Sequence, residues 1–222
     1  MANYRFKNSE KKIRIGKIIG LARTYREHAT EMQAEITEDP LLFLKPESAV
    51  IFNNETIRVP TMSSRLHHEV ELGVVMGKTA RHISQIHALD YVLGYVVVLD
   101  ITARDIQSEA KKNGWPWTIA KGFDTFAPIS DVVLKDEILD PNDLDLILTV
   151  NNEVRQQSNT KYMVYSVERI IEFVSCIMTL KRGDLIMTGT PSGVGEIAEG
   201  DVLEARLGDY CVLSVDVRKS VE

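Results

Sequence analysis

The sequence predicts an α+β domain built mainly from short strands. Short apolar runs with period-two alternation recur along the chain, closed by Gly, Pro or paired Asn. Stretches with helical periodicity are few and do not alternate with the strands one for one, which argues against a regular βαβ array. At 222 residues, 44% apolar and 26% charged, the chain can bury a substantial core and is too apolar for disorder. No internal repeat, low-complexity segment or linker divides it. The expected organisation is an N-terminal extension or first strand at 1–17 and a single domain at 18–222.

Residues 13–21, Ile-Arg-Ile-Gly-Lys-Ile-Ile-Gly-Leu, read as a strand. Thr24, followed three residues later by Glu27, matches a capping box and opens a helix from Tyr25 to about Ala34. That helix must finish before Asp39-Pro40. His28 and Glu31 are three apart, share a face and can hydrogen-bond, although by itself so charged a stretch better suits an ordinary solvated surface. Its apolar stripe is weak: Tyr25, Ala29, Met32 and Ile36.

Leu41–Pro46 is a short apolar segment closed by proline, and Asn53-Asn54 marks a turn into a strand near Thr56–Val59. His67–Lys78 reads as a strand with Val70, Leu72, Val74 and Met76 on one buried face and His67, Glu69 and Glu71 on the other. Two carboxylates one pleat apart repel unless water screens them or a cation neutralises them, so this face is either wet or a cation site. Asp100 supplies a third carboxylate where the apolar run Tyr91–Leu99 emerges. Three such oxygen donors suit Mg²⁺ or Mn²⁺.

Residues 84–90 read as a short helix, and a longer one runs from about Thr102 to Lys112, stopped by Asn113-Gly114. Arg104 and Gln107 are i,i+3 on it. Trp115–Lys121 sets Lys121 among aromatic and apolar neighbours, where a covered stem with the head in water is the ordinary outcome. Residues 143–156 form a hairpin pattern around Asn151-Asn152. Ser166 caps a helix from Val167 to about Leu180 that ends at Gly183. Asp184–Gly195 is a strand entering a glycine-rich turn; no Gly-Lys-Ser/Thr follows, so it is not a phosphate loop. Two short strands, about 202–206 and 210–217, close the chain.

A formal net charge of −6 without a basic stripe argues against a nucleic-acid partner. Two cysteines, Cys176 and Cys211, make no disulfide framework and fit a reducing compartment. The N-terminus has no apolar signal region, and no run approaches membrane-spanning length. The expectation is a soluble, cytoplasmic protein with no membrane partner.

Six segments, taken together and in order, resemble the fumarylacetoacetate hydrolase family, in its small single-domain branch of acylpyruvases and oxaloacetate decarboxylases. They are Arg-Thr-Tyr-Arg-Glu-His (23–28), Leu-Phe-Leu-Lys-Pro (42–46), His-His-Glu-Val-Glu-Leu-Gly-Val-Val (67–75), Leu-Asp-Ile-Thr-Ala-Arg-Asp-Ile-Gln (99–107), Trp-Pro-Trp-Thr-Ile-Ala-Lys (115–121) and Thr-Gly-Thr-Pro-Ser-Gly-Val-Gly (188–195). One departure is visible: Ala22-Arg23-Thr24-Tyr25 stands where the family usually has Gly-Arg-Asn-Tyr.

The resemblance implies mixed β-sheets forming a sandwich or roll with a few flanking helices, and a homodimer. It implies Glu69, Glu71 and Asp100 as ligands of Mg²⁺ or Mn²⁺. His28 and Glu31 become a catalytic dyad on a segment that closes over the site, Lys121 a catalytic lysine beside the metal, and Arg104, Gln107 and Thr190 substrate-binding residues. The implied activity is hydrolytic C–C cleavage of 3-acylpyruvates or decarboxylation of oxaloacetate, on a small 2-oxo or 1,3-diketo acid. The alternative within the family is isomerisation of a 2-hydroxyhepta-2,4-diene-1,7-dioate. Two other classes share an acidic cluster: a metal-dependent nuclease, disfavoured by the acidic balance, and a non-catalytic metal-stabilised scaffold.

Overall fold

The strand Val70–Met76 lies at the centre of the largest sheet and organises the rest. A computed structural model describes residues 2–7, 11–31 and 38–220. The large mixed sheet runs, edge to edge, through Leu41–Lys45, Ile18–Ala22, Leu185–Met187, Val70–Met76, Val92–Leu99, Ala127–Ile129 and Val50–Phe52, with Val133–Leu134 also paired on Val92–Leu99. A second sheet orders Glu153–Asn159, Asp145–Val150, Val202–Leu207, Cys211–Lys219 and Thr56–Val59. A small third sheet joins Gly195–Ile197, Leu66–His68 and Thr102–Ala103. The architecture is thus α+β, mixed sheets packed face to face with few helices, as expected.

Val70–Met76 is buried along its whole length. One face, with Leu72, Val74, Val97 and Leu99, packs against Leu146, Leu148, Leu203 and Leu213 of the second sheet and Ile170, Ile171 and Val174 of the helix Val167–Ile177. The other face, with Val75, Val96, Val98 and Leu185, is covered by Tyr4, Ile13 and Ile15. This removes the wet-face alternative for the strand and keeps the cation-site one: the sheet is a middle layer, and Glu71 is buried with it. The expected continuous strand from His67 also breaks at Glu69, where the chain crosses from the small sheet into the large one.

Residues 2–4 and 13–15 pair with each other, Tyr4 N–H donating to Ile13 O at 2.9 Å, so the expected strand at 13–21 becomes regular only at Ile18. Thr24 forms no capping box, because its hydroxyl has no partner. Thr24 O instead accepts Val164 N–H at 2.7 Å, and the helix Arg26–Glu31 follows, with Tyr25 and Ala29 buried. The expected continuation to Ala34, with Met32 and Ile36, falls on residues 32–37, outside the described residues.

Local signals elsewhere act as read. Asn151 and Asn152 take φ of 53° and 66° between paired strands, Ser166 accepts Arg169 N–H, and Gly114 closes the helix Arg104–Asn113 at φ 68°. The helix from Val167 stops at Ile177 rather than about Leu180, because Leu180 and Ala80 exchange two backbone hydrogen bonds. Gly183 therefore serves the next turn, not the helix end. Both cysteines are free, and among the described residues no helix is long and apolar enough to cross a membrane.

Candidate active site

The break at Glu69 is held by a single buried amide. Gln156 Oε1 accepts Val70 N–H and faces His68 Nδ1, both at 3.0 Å, while its Nε2 donates to Thr190 Oγ1 at 2.8 Å and Pro191 O at 3.0 Å. Asp100 N–H donates to Glu69 O at 2.8 Å, and Val70 pairs with Leu99, so the two strand ends share a register. Glu69, Glu71 and Asp100 thereby converge, each offering an oxygen within 4.8 Å of the others, at relative exposures of only 6%, 1% and 0%.

Three cations surround them. Lys121 Nζ donates to Glu69 Oε2 at 2.9 Å, to Asp100 and to Thr102 Oγ1 at 2.7 Å. Arg104 donates to Glu69 and, at 2.6 Å, to Gln107 Oε1. Lys45 lies behind Asp100, its Nζ 2.7 Å from Oδ1. Its protons go instead to the carbonyls of Ile101, Lys121 and Phe126 at 3.0, 2.7 and 2.8 Å. Asp100 Oδ1 therefore receives charge without a hydrogen bond and is a buried acceptor with free lone pairs.

The electrostatics divide the three carboxyls. Burial would raise Glu69, but Lys121 and Arg104 outweigh it and hold the group below the usual carboxylate range. Glu71 is driven well above that range by burial and by the anions of Asp100 and Glu69. Burial opposes the charge of Lys121, yet Asp100 and Glu69 keep its affinity for a proton above normal. Burial lowers Lys45 to about 8. An Oδ1 that accepts no hydrogen bond, a carboxyl that lacks a cation and an all-oxygen donor set fit a hard divalent ion.

A pocket opens over this cluster. His28, Glu69, Glu71, Arg104, Gln107, Lys121 and Thr190 line it, and Phe43 and Trp117, with ring centroids 6.1 Å apart, form an aromatic wall. Of the remaining sequence candidates, Asp100 belongs to the cluster but is buried beneath the pocket lining, and Glu31 stands beside His28. His28 Nδ1 is 3.1 Å from Glu31 Oε2, and Gly193 N–H donates to the Glu31 carboxylate at 3.2 Å. Thr190 Oγ1 donates to Val70 O at 2.9 Å, so its proton serves the scaffold.

At 2% exposure with all three protons donated, Lys121 is not a lysine with its head in water. Sequence reading missed Lys45, Gln156, Arg23 and Lys111, the last two also lining the pocket. Lys45 had a signal, a lysine ending an apolar strand just before proline. Gln156 had none.

The fumarylacetoacetate hydrolase C-terminal family matches residues 17–218. A mitochondrial oxaloacetate tautomerase of Bos taurus is 48% identical over 198 residues, 89% of each chain. A mitochondrial oxaloacetate decarboxylase of Dictyostelium discoideum is 47% identical over 189 residues, 85% of this chain and 87% of that one. The crystal structure of fumarylpyruvate hydrolase from Pseudomonas aeruginosa in complex with Mn²⁺ and pyruvate matches with a TM-score of 0.95 at 30% identity, covering 99% of this chain and 96% of that one. The chain belongs to the fumarylacetoacetate hydrolase family and is an enzyme of it.

Proposed function

We propose that this chain is a divalent-metal-dependent enzyme of small 2-oxo acids that works through an enolate. It would decarboxylate or tautomerise oxaloacetate and hydrolyse the C–C bond of 3-acylpyruvates. The observation that carries this reading is the convergence of Glu69, Glu71 and Asp100, the first two lining a pocket that also holds His28, Arg104 and Gln107 and the third buried beneath it. The named activities of the relatives support it, as does the Mn²⁺ and pyruvate of the Pseudomonas hydrolase.

Glu69, Glu71 and Asp100 would hold Mg²⁺ or Mn²⁺, which when bound supplies Lewis acidity toward the oxygens of a 2-oxo carboxylate. Lys121 keeps Glu69 and Asp100 aimed and leaves its positive charge in the site, where it stabilises negative charge developing on the 2-oxo oxygen. Arg104 and Gln107 orient the substrate carboxylate from the helix that carries both.

His28 moves the protons. With Nδ1–H donated to Glu31, Nε2 keeps its lone pair for the pocket side. In hydrolysis it takes a proton from a water that attacks the distal carbonyl. The bond from C3 to that carbonyl breaks, its electron pair stays on C3 as the pyruvate enolate, and protonation at C3 gives pyruvate. In tautomerisation the same nitrogen takes a proton from C3 of oxaloacetate, and a proton is returned on oxygen. Decarboxylation needs no base to reach the enolate, since the C3–C4 bond breaks to release carbon dioxide and leaves its electron pair on C3. The family resemblance adds a homodimer, and the two free thiols suit the cytoplasm.

The deciding experiment assays acetylpyruvate, fumarylpyruvate, oxaloacetate and a 2-hydroxy-dienedioate with Mg²⁺ or Mn²⁺, each with and without chelator. Oxaloacetate and at least one acylpyruvate should turn over, only with metal. Turnover of the dienedioate alone would make the chain an isomerase, and activity that survives complete chelation would sink the proposal.

A further inference from the structure

We propose that Lys111 is a specificity residue that binds the distal carboxylate of a longer substrate, making the pocket selective for 2-oxo diacids over 2-oxo acids with an uncharged tail. This rests on the proposed function, which fixes the 2-oxo carboxylate end at the acidic cluster. The helix Arg104–Asn113 turns Arg104, Gln107 and Lys111 to one side, at positions i, i+3 and i+7. All three line the pocket. Arg104 and Gln107 are 5% and 3% exposed, whereas Lys111 is exposed, so the row climbs from the pocket floor to its rim.

Seven residues of helix span about 10 Å along its axis. A substrate anchored by its 2-oxo carboxylate at the floor therefore meets Lys111 with the far end of its chain. Between the two ends lies an apolar wall for the carbons: Lys111 Nζ stands 5.3 Å from the centre of the Trp117 ring, which packs against Phe43.

Arg104 is committed to Glu69 and Lys121 to Glu69 and Asp100, while no carboxylate of the described residues lies within ion-pair distance of Lys111. Burial and the positive charge of Arg104, with smaller contributions from Arg23 and Lys121, lower its affinity for a proton by more than the Glu69 anion raises it. An anion at the rim relieves that repulsion. A single cation over an aromatic ring holds a carboxylate without dictating one chain length, which suits selection by charge.

The test compares ligands matched in length and differing only in the terminal group. Calorimetry with Mn²⁺ present measures 2-oxoadipate, 2-oxohexanoate and oxalate, which has no tail, on the wild type and on K111A, K111E and K111R. The wild type should prefer 2-oxoadipate to 2-oxohexanoate by roughly fivefold, the scale of one partly exposed ion pair. K111A should abolish the preference, K111E reverse it and K111R restore it, with oxalate affinity equal in all four. A wild type that does not discriminate, or a preference that survives in K111A, overturns the role of Lys111. Failure of oxalate to bind any of the four with Mn²⁺ is a different result, which removes the proposed function and this inference with it.

Discussion

At Glu71 two demands meet in one side chain. Its Oε2 accepts Gly189 N–H at 2.7 Å, while burial and two neighbouring anions oppose its charge. The proposed divalent ion would resolve that conflict, so Glu69→Ala, Glu71→Ala and Asp100→Ala should each abolish turnover. Each should also weaken Mn²⁺ binding by more than the roughly 10- to 100-fold typical of a residue that only supports a ligand. Calorimetry with Mn²⁺ is the check, and affinity unchanged in any of the three would remove that residue from the site. In the proposed mechanism His28 would divide the reactions differently. His28→Ala should lower acylpyruvate hydrolysis by about 10²- to 10⁴-fold, the usual worth of a general base. Oxaloacetate decarboxylation should fall far less, because carbon dioxide leaves without proton abstraction. Equal losses on both substrates would assign the histidine to a step they share.

The turn from Thr188 to Gly195 serves both halves of the site through two backbone amides. Gly189 N–H holds Glu71, and Gly193 N–H holds Glu31. Both glycines have φ of 92°, where a side chain is strained. A Cβ at Gly189 would lie 2.0 Å from Thr24 Oγ1, and one at Gly193 would lie 2.3 Å from Arg155 O. Substitution at the two positions should therefore separate the functions. Gly189→Ala should weaken Mn²⁺ binding, whereas Gly193→Ala should slow hydrolysis and leave Mn²⁺ affinity intact. Finding the same profile for both variants would mean the turn moves as one body. The helix Val167–Ile177 offers a purely structural control: Ser166→Ala removes its cap and should cost about 1 kcal/mol in urea unfolding with activity unchanged.

Across the whole molecule, the cations around the acidic cluster let the fold persist without metal. Lys45, Lys121 and Arg104 offset the carboxylate charges from within, and the cores on both faces of the central sheet do not depend on them. Chelation should thus remove activity while the melting temperature falls by only a few degrees. Collapse of the fold on chelation would point to a structural metal. The two adjacent histidines contribute to acid sensitivity. Burial, then Arg104 and Arg65, lowers His67 from 6.5 to about 4, and burial lowers His68 as well. Between those values the unfolded chain binds more protons than the folded one, so the stability from neutral His67 is complete above about pH 6.5 and is lost as pH falls through about 4. Denaturation midpoints at pH 7, 5.5 and 4 should decline, and less steeply in His67→Gln.

What the sequence determined by itself is what short-range forces decide. The left-handed Asn151-Asn152 turn, the Ser166 cap, Gly114 and the apolar period of Val70–Met76 depend on sterics and hydrogen bonds within a few residues, so their patterns could be read directly. The pair Glu69 and Glu71 was legible for the same reason. Tertiary structure decided the rest. Asp100 joins that pair only through the register of Val70 on Leu99, and Glu71 is buried only because other chain segments cover both faces of its sheet. The Thr24 capping box failed because Val164 claims the backbone at that point, a partner no local pattern contains. Gln156 was beyond reach on the same ground, whereas Lys45, at the end of an apolar strand before proline, left a signal. A side chain's charge and hydrogen bonds in a buried site are set by groups distant in sequence and by the water those groups exclude.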